Sequence, residues 1–194
     1  MKKIFTIFCT FFLLSSVSAQ KVSKQLIAEY EDTLKVMAHI IMNTETEQEK
    51  FVANRAFIKT LKEVLQYERS FDYPFDSLKT ISIKTSSDNR VRIYTWILKK
   101  DNGTYQYFGF VHYKNKFKKR YEIIALNDNS ENIRRPKNKQ LDNKNWYGAL
   151  YYEIIYIKKK GRKYYTLLGW DGNNDVSTKK IIDVMYFSGK EIIK

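Results

Sequence analysis

Asp171, Asn173 and Asp175 stand on alternate positions of the stretch "LLGWDGNNDVSTKK", residues 167–180. Oxygen-bearing side chains at that spacing match the first three ligand positions of an EF-hand calcium loop. The sixth position of such a loop takes glycine and is Val176 here, and the twelfth takes glutamate and is Ile182. No flanking helices are expected either, so an EF-hand is excluded. Two readings stay open. One is a looser calcium site completed by backbone carbonyls. The other, which the residue types favour, is a tight turn over Asp171-Gly172-Asn173-Asn174, with glycine and asparagine supplying positive φ. That turn would follow a strand ending near Trp170 and launch another near Lys180.

Glu122 and Glu153 are the second residues of a tetrapeptide, YEII, that occurs at 121–124 and 152–155. Two carboxylates across a cleft are what glycan hydrolysis needs, one as acid and one as base or nucleophile. The plainer reading is a pair of solvent-facing strand residues opposite lysines. His39 and His112 are the two histidines, each without another near it in sequence, and ordinary packing or surface roles are expected for both. No G-x-S-x-G elbow, P-loop or dinucleotide fingerprint occurs. The residues therefore assign no catalytic, cofactor-binding or firm metal-ligating position.

Basic side chains recur in three clusters: Lys114, Lys116, Lys118, Lys119 and Arg120; Arg134, Arg135, Lys137 and Lys139; and Lys158, Lys159, Lys160, Arg162 and Lys163. Aromatics flank them, among them Tyr105, Tyr107, Phe108, Tyr113, Tyr147, Tyr151, Tyr152, Tyr164 and Tyr165. Cations beside aromatic faces suit anionic or sugar ligands. The same alternation belongs to any half-buried strand with charged hairpin tips. No specific nucleic-acid-reading motif accompanies it. The formal charge of +14 admits an anionic envelope polymer as partner, although surface lysines also serve solubility alone.

The elements that must carry these groups are legible from periodicity. Val22, Leu26, Tyr30, Leu34, Met37 and Ile41 recur at three- and four-residue spacing and predict a helix over 22–43. Phe51, Ile58, Leu61 and Leu65 predict a second over 47–68, with a capping box formed by Thr44 and Glu47. The short link between them predicts an antiparallel pair. Pro74 ends the helical region, because the residue before proline avoids helix. A period of two then predicts strands at 78–85, 90–99, 104–113, 119–126, 149–158, 163–170 and 180–187. Asp101-Asn102-Gly103 predicts a type I′ hairpin, and Lys160-Gly161-Arg162 a second hairpin tip. Residues 127–145 are polar and form a long connection. A strand pattern starts again at Glu191-Ile192-Ile193-Lys194, and two readings stay open there, a short closing strand or a chain that ends early.

The first residues read as an export signal. Lys2 and Lys3 precede an apolar run from Ile4 to Leu14, and Val17-Ser18-Ala19 supplies small residues, so cleavage is expected between Ala19 and Gln20. That run is short of the roughly 20 residues a transmembrane helix takes, and no second apolar run of that length follows. Cys9 leaves with the signal, so the mature chain carries no cysteine, which excludes disulfides, thiolate nucleophiles and cysteine-bound metals. Periplasmic or secreted localisation is the expectation.

The ending "SAQ" of the signal, the tyrosine- and lysine-rich strands, and "YYTLLGWDGNN" followed by "KKIIDV" resemble uncharacterised exported proteins of Bacteroidetes-type bacteria. The resemblance implies an envelope location, no assigned activity, and relatives in which more chain follows "IIDV", so that this one ends early.

Together these readings predict a signal peptide over 1–19 and one α+β domain over 20–194. Its helix pair within 22–68 precedes an antiparallel β-meander of about seven strands over 78–194, with a partly apolar outer face. The expected function is non-enzymatic: a binding or structural role in the envelope, with an anionic polymer or another envelope protein as partner and no cofactor. A glycan hydrolase and a polyanion-binding module using the basic hairpin tips are the alternatives.

Overall fold

Apolar residues on one stripe make α1 (Lys24–Asn43), which buries Ile27, Leu34, Ala38 and Ile41. The computed structural model describes residues 24–115, 118, 120–188 and 191–193. The expected signal segment, with Cys9, Ala19 and Gln20, lies outside the described residues, as do Lys116 and Lys119. Helix α2 (Glu47–Val64) is capped by Thr46, whose hydroxyl oxygen accepts from the Glu49 NH at 3.3 Å and donates to the Glu49 carboxylate at 2.8 Å. The capping box is thus two residues later than Thr44 and Glu47. Glu47 instead accepts from the Asp101 NH at 2.6 Å, tying the helix start to a hairpin far along the chain. Tyr30, early in α1, donates to Glu63, late in α2, at 2.7 Å, which fixes the pair as antiparallel.

Eight strands follow among the described residues. The first sheet orders β1 (Ser82–Thr85), β2 (Val91–Lys99), β3 (Tyr105–Asn115) and β4 (Arg120–Asn127) as sequential antiparallel neighbours. The second does the same with β5 (Leu150–Lys159), β6 (Arg162–Asn174), β7 (Ser177–Ser188) and the short β8 (Glu191–Ile193). The expected α+β fold is present, and its meander divides into two sheets at the 128–149 connection. Lys160 and Gly161 both have positive φ, 48° and 78°, the type I′ geometry that matches strand twist. At the β2–β3 tip only Gly103 is positive, at 78°, and its NH bonds to the Lys100 carbonyl at 3.0 Å. That tip is a longer turn closed by glycine rather than the expected type I′ pair.

Three layers result. One face of the first sheet, with Tyr94, Trp96 and Phe110, packs under the helices against Phe57, Leu61 and Leu65. The other face, with Ile93, Tyr107 and Val111, packs against Trp146, Tyr151, Tyr165 and Leu167 of the second half of the chain. Strand β2 is therefore covered on both sides, and its buried run from Val91 to Trp96 has no exposed alternate. At about 25 cal/mol per Å² of apolar area, these two interfaces supply the main driving force for folding.

Buried polar side chains staple the layers. Trp96 donates its indole NH to Asn54 of α2 at 2.7 Å. Thr95 of β2 accepts from the Tyr151 NH at 3.1 Å, and Ser82 of β1 donates to the Tyr151 carbonyl at 2.5 Å. The segment between α2 and β1 is held by two ionisable groups. Glu31 of α1 accepts from the Ser77 NH at 2.6 Å and from the Tyr73 hydroxyl at 2.7 Å. Arg92 of β2 donates to the carbonyls of Phe71, Tyr73 and Pro74 at 2.8, 2.5 and 2.9 Å, under the rings of Phe75 and Tyr94.

The outward face of the second sheet is apolar. Ile155 and Ile157 of β5 and Ile182 and Val184 of β7 are exposed there with Tyr152. No described helix is long and apolar enough to cross a membrane.

Candidate functional site

The 128–149 connection is braced, not slack. Asp128 accepts from the Tyr107 NH at 2.9 Å with one oxygen and from the Ser130 NH at 3.0 Å with the other. Backbone bonds link Asn127 with Asn143 at 2.8 Å and with Trp146 at 2.9 Å, so the connection leaves and rejoins the body at one point. Between those bonds it projects beside β7. It touches that strand twice: Lys179 donates to the Tyr147 hydroxyl at 3.1 Å, and Gln140 donates to the Tyr186 hydroxyl at 3.0 Å.

Between these contacts the connection stands away from β7, leaving a groove of about 490 Å³. Arg135, Lys137 and Lys139 line it from the connection, and Lys179 and Lys180 from β7. Its apolar lining comes from Leu141, Ile181, Ile182 and Val184, two of which continue into the exposed sheet face. Asp183 is the single acid on the groove wall, and it accepts a hydrogen bond from Tyr151. Among the described residues Arg135, Lys137, Lys139 and Lys180 enter no ion pair. Arg135 has φ 53°, a left-handed conformation costing a non-glycine residue roughly 1 kcal/mol, and such outliers gather at ligand clamps.

Of the opening stretch only Lys179 and Lys180 line the groove, and Asp171 and Asn173 stand behind Lys179. The Asp171 carboxylate, 5% exposed, accepts from the Tyr107 hydroxyl at 2.7 Å, from Tyr147 at 3.4 Å and from the Asn173 NH at 2.8 Å. Lys179 lies 3.5 Å from Asp171 and donates to the Asn173 side-chain oxygen at 2.5 Å. Burial works against the Lys179 ammonium, but the Tyr147 hydrogen bond and the Asp171 charge outweigh it and hold its pKa above the usual lysine value. Burial and the Asp171 hydrogen bond push the Tyr107 phenol well above its usual range. Asp175 is exposed and pairs with Lys99 at 2.7 Å. Asp171 and Asn173 therefore meet through Lys179, while Asp175 points to a different cation. Among the described residues no group of three or more His, Cys, Asp or Glu side chains could hold a metal ion.

The turn at this site is also displaced from the expected one. Strand β6 runs on to Asn174 through an irregularity after Asp171, and Asn174 pairs with Ser177. The reversal is at Asp175 and Val176, with the Asn174 side chain accepting from the NH groups of Val176 and Ser177 at 3.0 Å each. Asn173 supplies positive φ, 50°, as expected, Gly172 does not, and the turn itself is closed by the Asn174 side chain.

Glu122 and Glu153 lie on different sheets, on β4 and β5. Glu122 is gripped by Lys118, by the Tyr113 hydroxyl and by Asn115 at 3.2 Å, and Lys118 first among these lowers its pKa to about 2. A carboxyl held ionised to that degree is a poor proton donor at neutral pH. Glu153 is exposed on β5 beside a register shift, and its carboxylate accepts from the Ile154 NH at 3.1 Å. His39 is exposed on α1. His112 is wholly buried between the rings of Phe71 and Tyr121, and desolvation, with Arg92 and Lys114 nearby, lowers its pKa to about 3.

The basic hairpin tips differ from the groove. Lys118 and Arg120 are spent on Glu122, and Lys163 pairs with Asp88 at 2.5 Å. Tyr107, Tyr113, Tyr151 and Tyr165 are buried between the sheets, so they offer no stacking face. Sequence reading placed Arg135, Lys137 and Lys139 in a cluster but missed their juxtaposition with Lys179 and Lys180. The usable signal was the double lysine at 179–180 on a strand otherwise rich in β-branched residues.

Comparison with protein-family models, with curated proteins and with solved structures returns no match to this chain.

Proposed function

We propose that this chain is an exported, non-enzymatic binding protein of the bacterial envelope that takes an extended anionic ligand in the groove beside β7. The observation that carries the reading is the convergence of five cations from two separate segments on one groove with a single, already bonded acid. Four of the five, Arg135, Lys137, Lys139 and Lys180, enter no ion pair among the described residues, and like charges gathered in excess of counter-charge favour an anionic ligand. The apolar lining adds contact area that a purely charged surface lacks. The envelope location is supported by the Lys2-Lys3, Ile4–Leu14 and Val17-Ser18-Ala19 pattern and by the resemblance to exported Bacteroidetes-type proteins. Hydrolysis through Glu122 and Glu153 finds no supporting observation, because Glu122 is neutralised by its own neighbours.

Dextran sulfate and poly-L-glutamate serve as probes. Binding of either to the mature chain should weaken steeply between about 50 and 200 mM salt, as expected when several cations are neutralised. Absence of binding by both at low salt would refute the reading. Cleavage of the mature chain at Ala19 in an envelope fraction tests the location independently.

A further inference from the structure

One wall of the groove is backbone. Strand β7 pairs with β6 from Met185 to Ser177, whereas its opposite edge is paired by β8 only at Tyr186, Phe187 and Ser188. In an antiparallel strand the NH and CO groups of alternate residues turn to opposite edges. Between Ser177 and Met185 the outward-turned groups meet no strand among the described residues. Proteins ordinarily blunt such an edge with charges, proline or a covering loop. Here the covering connection leaves a groove along β7 and, among the described residues, hydrogen-bonds to the strand at Lys179 and Tyr186. Those two residues are about 23 Å apart at the usual strand rise, room for an extended stretch of about six residues.

We propose that an extended acidic peptide segment of a partner protein binds this groove by strand addition to the Ser177–Met185 edge of β7. The inference rests on the anionic-ligand reading above and names its ligand class. Three observations single out a peptide. First, β8 already occupies the same edge, so the lane accepts a strand in register. Second, the backbone groups of the edge want NH and CO partners, which a sulfated or phosphorylated polymer does not supply in alternation. Third, β7 offers Lys180, Ile182 and Val184 on one face of the edge and Lys179, Ile181 and the Tyr151-bonded Asp183 on the other, with Lys137 and Lys139 lining the same groove. A strand of alternating acidic and apolar residues complements that arrangement. A second copy of this chain is a poor occupant, since it brings a formal charge of +14 to a basic groove.

The test uses the mature chain and a fluorescein-labelled hexapeptide of alternating glutamate and valine. Two isomers carry backbone N-methyl groups, one at the glutamates and one at the valines. They keep the charge and composition, but each removes the NH groups of one edge. Strand addition predicts that the parent binds, that one isomer loses at least tenfold in affinity while the other binds like the parent, and that β7 amides between Ser177 and Met185 become protected from exchange. It also predicts that Lys137→Glu, Lys139→Glu and Lys180→Glu together weaken the parent at least tenfold, as expected for several reversed charge contacts. Equal binding by both isomers and the parent would overturn strand addition while leaving the anionic groove intact. So would dextran sulfate binding without peptide binding. Undiminished peptide binding by the triple variant would place the ligand elsewhere and overturn the proposal. Loss of both probes would remove the anionic-ligand reading as well.

Discussion

The hydroxyl of Tyr107 on β3 donates to Asp171 on β6 at 2.7 Å and accepts from the Gly172 NH at 2.7 Å, bridging the two sheets beneath the groove. Asp171 in turn holds Lys179 on the groove wall. A buried carboxylate that loses its donor keeps its desolvation cost, so the pair is worth more than its bond alone. Tyr107→Phe is expected to destabilise the chain by about 1–3 kcal/mol in urea unfolding. It should also weaken groove binding, because Asp171, which positions Lys179 on the groove wall, loses a hydrogen bond that holds it in place.

Arg92 donates its hydrogen bonds to carbonyls instead of to a carboxylate, and it organises the link between helices and sheet. Arg92→Met leaves the Phe71, Tyr73 and Pro74 carbonyls without that donor and should cost about 3 kcal/mol or more. Arg92→Lys should recover little of it, since an ammonium cannot present the planar fork that spans these acceptors. Thermal and urea unfolding of the two variants check both statements.

His112 gives the folded state a pH dependence. Its pKa is lowered from 6.5 to about 3 by burial, so between those values the unfolded chain binds a proton that the folded chain does not. Stability from this group is complete above pH 6.5 and is lost as pH falls, by about 1.4 kcal/mol per unit down to about pH 3. His112→Leu should remove this slope, and a slope equal to that of the wild type would show that His112 is not its source.

Arg135 separates strain from binding. With φ at 53°, its backbone suits glycine, so Arg135→Gly should leave stability unchanged or raise it by up to about 1 kcal/mol. The same change removes a groove cation and should weaken poly-L-glutamate binding. Melting temperature and a binding titration on one preparation decide it.

The helices and strands were legible because periods of 3.6 and two survive in Leu34, Ala38 and Ile41 of α1 and in the alternation along β6. The layer order was not. It depends on Trp146 and Tyr151 packing against β3 and on the Asp128–Trp146 bridge, contacts between residues that no local pattern relates. Thr44 and Thr46 are equally good caps by type, and the choice falls to the residue with extended backbone, Thr46 at φ −85° and ψ 132°. Asn102-Gly103 carries the letters of a type I′ turn, yet Gly103 sits against Asp175 and only it takes positive φ. At the site, Asp171, Asn173 and Asp175 were visible as oxygen donors. Their partners Tyr107 and Lys99 belong to two other places in the chain, and Lys179 meets Asp171 and Asn173 across the β6–β7 turn, so what these residues hold could be learned only from the fold.

The most direct measurement is fluorescence anisotropy of labelled poly-L-glutamate titrated with the mature chain, and with its Lys137→Glu, Lys139→Glu, Lys180→Glu form, at two salt concentrations. An anionic ligand in the groove predicts binding that falls steeply with salt and at least tenfold on charge reversal. Binding indifferent to both salt and the three substitutions would contradict it.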